Sequence, residues 1–231
     1  MRIIKAVFFK QAKDMFKNPM VLVMFIIFPA VALIMTQLIA KPNDDIPNGM
    51  FVTMMASIFA GMGLLTAASG VIAEDMERKS LRFFIIAGVK PHQYLLGTGG
   101  FLLIAGTVTS VFFALIGDFT ADEVIKFLII MVAGTTASII LGAAIGILSK
   151  NQQAATSLGM PVAVLVGFTP MIAAFNETVE RFAGVLYTQQ INVIVNDFSA
   201  SLLKPLIIIA LNIIAFTALF MLAYMKKGLK G

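Results

Sequence analysis

The sequence predicts an all-α, polytopic membrane protein with six transmembrane helices, and three observations carry that prediction. Of its 231 residues, 59% are apolar and only 13% charged, against roughly 25% charged in soluble domains. The apolar residues fall into six runs long enough to cross a bilayer. The basic residues collect on alternate connections between those runs. A soluble chain of this size would leave large apolar patches in water, so lipid is the simpler solvent. The length allows a single domain over residues 1–231.

Residues 1–18 come before the first run. Ile4, Phe8, Ala12, Met15 and Phe16 recur at helical spacing, and Lys5, Lys10, Lys13 and Lys17 fall mostly between them. This pattern predicts an amphipathic helix lying in the membrane interface. A plain basic flank that sets orientation is the blander reading. Asn18-Pro19 ends the helix and turns the chain into the bilayer. The run that follows is too long for a signal h-region, so no cleaved signal peptide is expected.

A span needs about 20 mostly apolar residues. The six runs are about Met20–Ala40, Phe51–Ala73, Tyr94–Gly117, Phe127–Leu148, Ala154–Phe175 and Pro205–Met225, and none contains Asp, Glu, Lys or Arg. Unpaired backbone groups cost several kcal/mol each in lipid, so the runs are read as helices. A barrel would need alternating segments of about ten residues, and these runs do not alternate. Pro29, Pro161 and Pro170 are expected to kink spans one and five. Gly134, Ser138, Gly142 and Gly146 recur every four residues on span four. Such small-residue rows let helices approach closely, against another span of the chain or against a second copy.

Six spans place both termini on one side, and the positive-inside rule chooses the side. The N-terminal stretch, the 74–93 and 149–153 connections and the C-terminal tail hold Arg2, Lys5, Lys10, Lys13, Lys17, Arg78, Lys79, Arg82, Lys90, Lys150, Lys226, Lys227 and Lys230. With Asp14, Glu74, Asp75 and Glu77, that face carries net +9. The other face holds four basic and eight acidic residues, net −4. The basic face is therefore predicted to be cytoplasmic, with both termini inside. The excess of base reflects topology and contact with anionic lipid. No basic domain exists outside the spans, so nucleic acid is not an expected partner.

The connections on the acidic face differ in length. Residues 41–50 and 118–126 are short, whereas 176–204 is long and half-apolar. Within it Val179, Phe182, Ala183 and Leu186 repeat at helical spacing, and so do Ile191, Ile194, Val195, Phe198 and Leu202. Two short, re-entrant-like helices dipping into the outer leaflet would account for both stripes.

The 74–91 segment is the most informative. It begins with acids, Glu74-Asp75-Met76-Glu77, continues with bases, Arg78-Lys79-Ser80-Leu81-Arg82, and ends in an apolar stretch before Gly88 and Pro91. Acids early and bases late suit a helix dipole. Glu74 and Arg78 form a favourably oriented i,i+4 pair. Leu81, Phe84 and Ile85 would make an apolar face. The segment reads either as a charged helix presented to a partner or as a solvated turn at the membrane edge.

Taken in order, these features resemble the type-2 permeases of ABC transporters, the ABC-2 family of exporter membrane subunits. The resemblance rests on an interfacial helix ending at Asn18-Pro19 and a first span with Phe28-Pro29 inside it. It rests also on Ile72-Ala73-Glu74-Asp75-Met76-Glu77-Arg78 after the second span, Gly88 and Pro91 leading to Tyr94-Leu95-Leu96-Gly97, and the long segment before the last span. It covers the whole chain. One departure stands out: a Gly-Thr pair often follows the acidic-basic segment, and Lys79-Ser80 occupies that place.

The resemblance implies that a separate ABC ATPase subunit binds the loop after span two, the coupling helix. Carried over, Glu74, Glu77, Arg78, Lys79, Leu81 and Arg82 become the ATPase-facing set. It implies a second permease copy, identical or merely similar, and ATP with magnesium on the partner ATPase, with no cofactor on this chain. The expected activity is outward transport, across the cell membrane, of an amphipathic, peptide, lipid-like or hydrophobic drug substrate. A membrane accessory or immunity protein without its own transport cycle is the alternative.

Other chemistry finds little support. No G-x-x-x-x-G-K-[ST] phosphate loop is present; Gly97–Gly100 is glycine-rich but lacks the lysine. Cysteine is absent and His92 is the single histidine, so no thiolate or histidine metal cluster is expected. The spans carry no ionisable residue of the kind that marks proton or ion paths. Asp44-Asp45 reads as a solvated loop before it reads as a weak cation site. Asn176-Glu177-Thr178 matches a glycosylation sequon, a pattern frequent by chance.

Overall fold

The computed structural model describes residues 2–43, 46–47 and 49–228, and this part of the chain is helical, without a strand. Asp44, Asp45 and Lys230 lie outside the described residues. Helix α1 (Arg2–Lys17) leads to α2 (Pro19–Met35), which runs on into a π-helical turn, Thr36–Ala40. A second rod consists of α3 (Met50–Ile58), a π-helical turn at Phe59–Gly63 and α4 (Leu64–Glu77). Then come α5 (Ser80–Ile86), α6 (Pro91–Ile116), α7 (Ala121–Leu148), α8 (Gln152–Ala173), α9 (Glu177–Ala183), α10 (Tyr187–Asn196) and α11 (Leu203–Gly228). Six of these rods are long and apolar enough to cross a membrane: Val21–Ala40, Met50–Glu77, Pro91–Ile116, Ala121–Leu148, Gln152–Ala173 and Leu203–Lys226.

The six crossings bring α1, α5 and the end of α11 to one end of the bundle, here the terminal face. Tyr224 of α11 donates its hydroxyl to the Val89 carbonyl there, at 3.1 Å. The second rod and α7 are mostly buried, while α2, α8 and α11 turn most of their surface outward. Ile26 and Ile34 of α2 and Ile214 and Leu222 of α11 are large, apolar and exposed. Such a rim suits hydrocarbon, which is as apolar as leucine.

Small residues set the closest helix contacts. A Cβ on Gly146 would lie 2.7 Å from the Ser69 carbonyl oxygen, and one on Gly142 would collide with the Leu65 carbonyl. Further up α7, a Cβ on Gly134 would run into Ile191, and Ser138 accepts the Tyr187 hydroxyl at 2.9 Å. The row Gly134, Ser138, Gly142 and Gly146 thus faces α4 and α10 of the same chain. A second crossing, which periodicity did not signal, joins the π-helical turn to α8, where a Cβ on Gly61 would lie 2.6 Å from Gly167 Cα.

The helices run on through their prolines, and neighbours supply two of the donors that proline removes. Pro170 leaves the Val166 carbonyl without an intrahelical partner, and Thr188 of α10 donates to it at 2.7 Å. Pro29 does the same to the Phe25 carbonyl, and Thr109 of α6 reaches it at 3.4 Å. Pro161 lies on the exposed face of α8.

The long connection forms two short helices, as the two stripes predict. Helix α9 is mostly exposed, and α10 goes deeper. It inserts among α3, α7, α8 and α11, and its first residues, Tyr187, Thr188, Gln189 and Gln190, are buried. The apolar stripe marked only Ile191, Ile194 and Val195. The buried polar start escaped because hydrogen bonds, not hydropathy, seat it. Burial pushes the Tyr187 phenol up, so the group acts as a neutral donor to Ser138. Asn176, the sequon asparagine, caps α9 by accepting from the Thr178 and Val179 amides at 3.0 and 3.1 Å. Beyond α10, the Ser199 hydroxyl and amide hold the Asp197 carboxylate below its usual range.

Candidate partner-docking site

The site begins with a buried stripe on α4. Leu64, Ala68, Ile72 and Asp75 follow one another at helical spacing and all are buried. The stripe therefore ends in a carboxylate, and a buried charge is costly unless it is paired and hydrogen-bonded. Asp75 has both kinds of partner. Lys10 of α1 forms an ion pair with it, and the Tyr94 hydroxyl of α6 donates to it at 2.8 Å. Lys10 also reaches Asp14 at 3.2 Å and stands 5.9 Å above the Phe84 ring of α5. The Tyr94 ring touches Phe84 and Tyr224, with centroids 5.9 and 6.2 Å apart. Elements α1, α4, α5, α6 and α11 thus meet around one carboxylate.

Helix α1 is docked along its whole length. Val7, Gln11 and Met15 form its buried face. A Cβ on Gly97 of α6 would lie 2.6 Å from Val7 Cβ, which explains the glycine-rich opening of α6. Phe8 packs on Phe101 at 5.5 Å between centroids. Phe9 and Phe16 remain exposed.

The 74–91 segment is two helices, not one. The acids close α4, and α5 starts after a break at Lys79, whose φ of 58° is left-handed. Helix dipoles disfavour acids at a C-terminus, so the expected dipole support is absent and other partners replace it. Arg78 pairs with Glu74 at 2.6 Å. The Gln152 side chain donates to Glu74, and the Gln152 amide to Glu77, each at 3.1 Å. Glu77 therefore sits at the N-terminus of α8, where a carboxylate is favoured. The left-handed break stands where the resembling family often places glycine, the residue that adopts this conformation without cost.

Helix α5 ends in a Schellman motif: Val89 donates to the Phe84 carbonyl at 2.9 Å and Gly88, at φ 78°, to that of Ile85 at 3.0 Å. Leu81 is 1% exposed, and Phe84 and Ile85 are half-buried beside it. Leu81, predicted to face a partner, is instead the anchor that pins α5 to the bundle. The opposite side presents Arg82, with Phe83 70% and Ile86 74% exposed. Glu77, Arg78 and Lys79 are exposed at the break. Three groups that hold the site together, Lys10, Asp75 and Tyr94, were not singled out from sequence. The signal was present for Asp75, which continues the spacing of Ala68 and Ile72.

The fold is that of a multi-pass membrane protein, a six-span helical bundle with an anchored, outward-facing helix on its terminal face. The family model described as "ABC-2 family transporter protein" matches residues 30–224, and the chain belongs to that family. It is a multi-pass permease of the ABC transporter class. The match begins inside α2, so α1 lies before it. No curated protein sequence matches the chain.

Proposed function

We propose that this chain is the permease half of an ATP-driven exporter and that α5 is where a separate ABC ATPase docks. The supporting observation is the two-sidedness of α5: Leu81 buried in the bundle, Arg82, Phe83 and Ile86 turned out. Aromatic and arginine side chains with exposed apolar neighbours are the usual anchors of an interface. The terminal face is cytoplasmic in this reading, because it carries thirteen of the seventeen basic residues. Two copies of the chain, or one with a similar partner, would pair with two ATPases that hold ATP and magnesium.

Movement of a docked ATPase would reach the spans through Leu81 and Phe84, and through the Asp75 cluster that joins α5 to α1, α4, α6 and α11. The spans would then alternate between inward-open and outward-open states. Their apolar walls favour an amphipathic, peptide, lipid-like or hydrophobic drug cargo, carried outward across the cell membrane.

The test is co-purification of the full chain with a co-expressed ABC ATPase subunit. Arg82→Glu combined with Phe83→Ala should reduce recovery of the ATPase at least about tenfold, as expected for losing one interface anchor. Glu77 is a poor test position because it also caps α8. Wild-type recovery by the α5 double variant refutes the docking assignment. A chain that recruits no ATPase and supports no ATP-dependent flux is an accessory membrane protein instead.

A further inference from the structure

A groove of about 830 Å³ runs between α2 and α6, inside the ~300–1,000 Å³ range of ligand sites. Its walls are apolar: Leu22, Ile26 and Leu33 face Ile104, Val108 and Phe112, and the small Ala30 and Ala105 leave room between them. From Leu22 to Lys41, at about 1.5 Å per residue, the α2 wall is roughly 29 Å long, close to the ~30 Å of a bilayer's hydrocarbon. Apart from Thr109 on its wall, the groove is polar only at the end away from the terminal face, where Thr36, Gln37, Lys41 and Asp118 line it.

Two details of that polar end point to a ligand. Thr36 is 1% exposed, and its hydroxyl has no hydrogen-bond partner among the described residues. Other threonines of the spans, such as Thr107 and Thr135, donate to a carbonyl four residues back, at 2.8 and 2.7 Å. Thr36 instead opens a π-helical turn, a feature frequent at functional sites. In addition, Lys41 and Asp118 stand at one mouth with opposite charges, both exposed. Neither takes part in an ion pair among the described residues.

We propose that the groove holds one zwitterionic phospholipid of the phosphatidylethanolamine kind. Its phosphate meets Lys41, its ammonium meets Asp118, and an acyl ester carbonyl accepts the Thr36 hydroxyl. Thr36 lies five residues inside Lys41, about 7 Å along the helix, and a glycerol ester lies similarly inside its phosphate. The acyl chain follows the trough past Ala30 and Ala105. An anionic lipid would satisfy Lys41 but set its charge against Asp118. This site is separate from the docking face, and its occupancy does not depend on the ATPase.

The experiment uses the full chain, delipidated in detergent, and native mass spectrometry. Phosphatidylethanolamine and phosphatidylglycerol are titrated separately. The expected result is a one-to-one phosphatidylethanolamine adduct, held at least about tenfold more tightly than phosphatidylglycerol, a ratio in keeping with one charge-assisted hydrogen bond. Lys41→Gln and Asp118→Asn should each weaken it about tenfold. Both positions are exposed, and asparagine tolerates the left-handed backbone that Asp118 adopts, so both variants should fold. Ala105→Phe should block the trough and remove the adduct. Equal retention of the two lipids, indifferent to Lys41→Gln and Asp118→Asn, overturns the proposal in favour of ordinary annular lipid. An Ala30→Cys chain, otherwise cysteine-free, that crosslinks to a second copy in membranes would also overturn it, because the groove would then be an interface between copies.

Discussion

Replacing Lys10 by methionine tests the cluster that holds the terminal face together. Asp75 is buried, its side chain 3% exposed, whereas that of Lys10 is 30% exposed. Removing the cation therefore strands the less solvated partner, with only the Tyr94 hydroxyl left to it. Breaking a buried pair from one side typically costs ~3–5 kcal/mol. Partial exposure of Lys10 and the residual tyrosine bond place the expected loss at the lower end, about 3 kcal/mol. Asp75→Asn should cost less, about 1–2 kcal/mol, because the amide oxygen still accepts from Tyr94 and Lys10 keeps Asp14. The Lys10→Met/Asp75→Asn double variant should then be less destabilised than the singles added together, by at least about 1 kcal/mol. Unfolding titrations with SDS in mixed micelles read all three. Hydrogen exchange over residues 2–17 provides a second readout: it should rise in Lys10→Met, because α1 is held to the bundle along one face. Additivity within about 0.5 kcal/mol, or unchanged exchange of α1, refutes the coupling.

Three further outcomes follow from local geometry. Thr188→Val keeps the side-chain shape but strips the donor to the Val166 carbonyl, and should cost ~1–2 kcal/mol in the same titration. In a Pro170→Ala background, where the helix supplies its own donor, the same change should cost under about 0.5 kcal/mol. Gly146→Ala forces a methyl against the Ser69 carbonyl and should lose ~1–3 kcal/mol, while Gly70→Ala on α4, with nothing within 4 Å of the new carbon, should be neutral or gain up to ~1 kcal/mol. Lys79→Gly should stabilise by up to about 1 kcal/mol, the relief of the left-handed lysine between α4 and α5 less the glycine's extra freedom in the unfolded chain. A destabilised Lys79→Gly would show that the break serves some other contact of Lys79.

Hydropathy made the bundle legible because hydrocarbon imposes a length and a composition on anything that crosses it. The six apolar runs and the six spanning rods agree to within a few residues at most ends. They differ most where charge and amphipathy enter. The second long helix continues to Glu77, not Ala73, because Asp75 is paired with Lys10 of α1, which a local window cannot see, and Glu74 with Arg78 four residues on. The fourth long helix starts at Ala121, ahead of the apolar run that opens at Phe127, because Asp122 and Glu123 sit in its first turn, where the dipole favours acids. The small-residue row on α7 was visible as a row, but its partners were not, since spacing along one helix says nothing about which helix lies opposite.

The proposed docking face shows the same division between what a pattern carries and what only a fold supplies. Leu81, Phe84 and Ile85 were readable as one apolar side of a short helix. Which side a partner meets depends on what lies beneath, and that floor is formed by Val89 close by and by Tyr94 and Tyr224, which lie 10 and 140 residues beyond Phe84. Leu81 therefore moves from the partner's surface to the bundle, and Phe83 and Ile86 take its place outside. Lys10 is the residue sequence reasoning had least reason to single out, since a lysine in a basic amphipathic helix reads as a lipid contact. It becomes structural because Asp75 continues the apolar stripe of α4 to its end. A carboxylate there must find a cation, and α1, seated on the glycines of α6, brings one. The orientation signal and the structural cation are thus drawn from the same basic helix. Removing positive charge from α1 at Arg2, Lys5, Lys13 or Lys17 should weaken the orientation signal alone, whereas removing it at Lys10 should also loosen the terminal face.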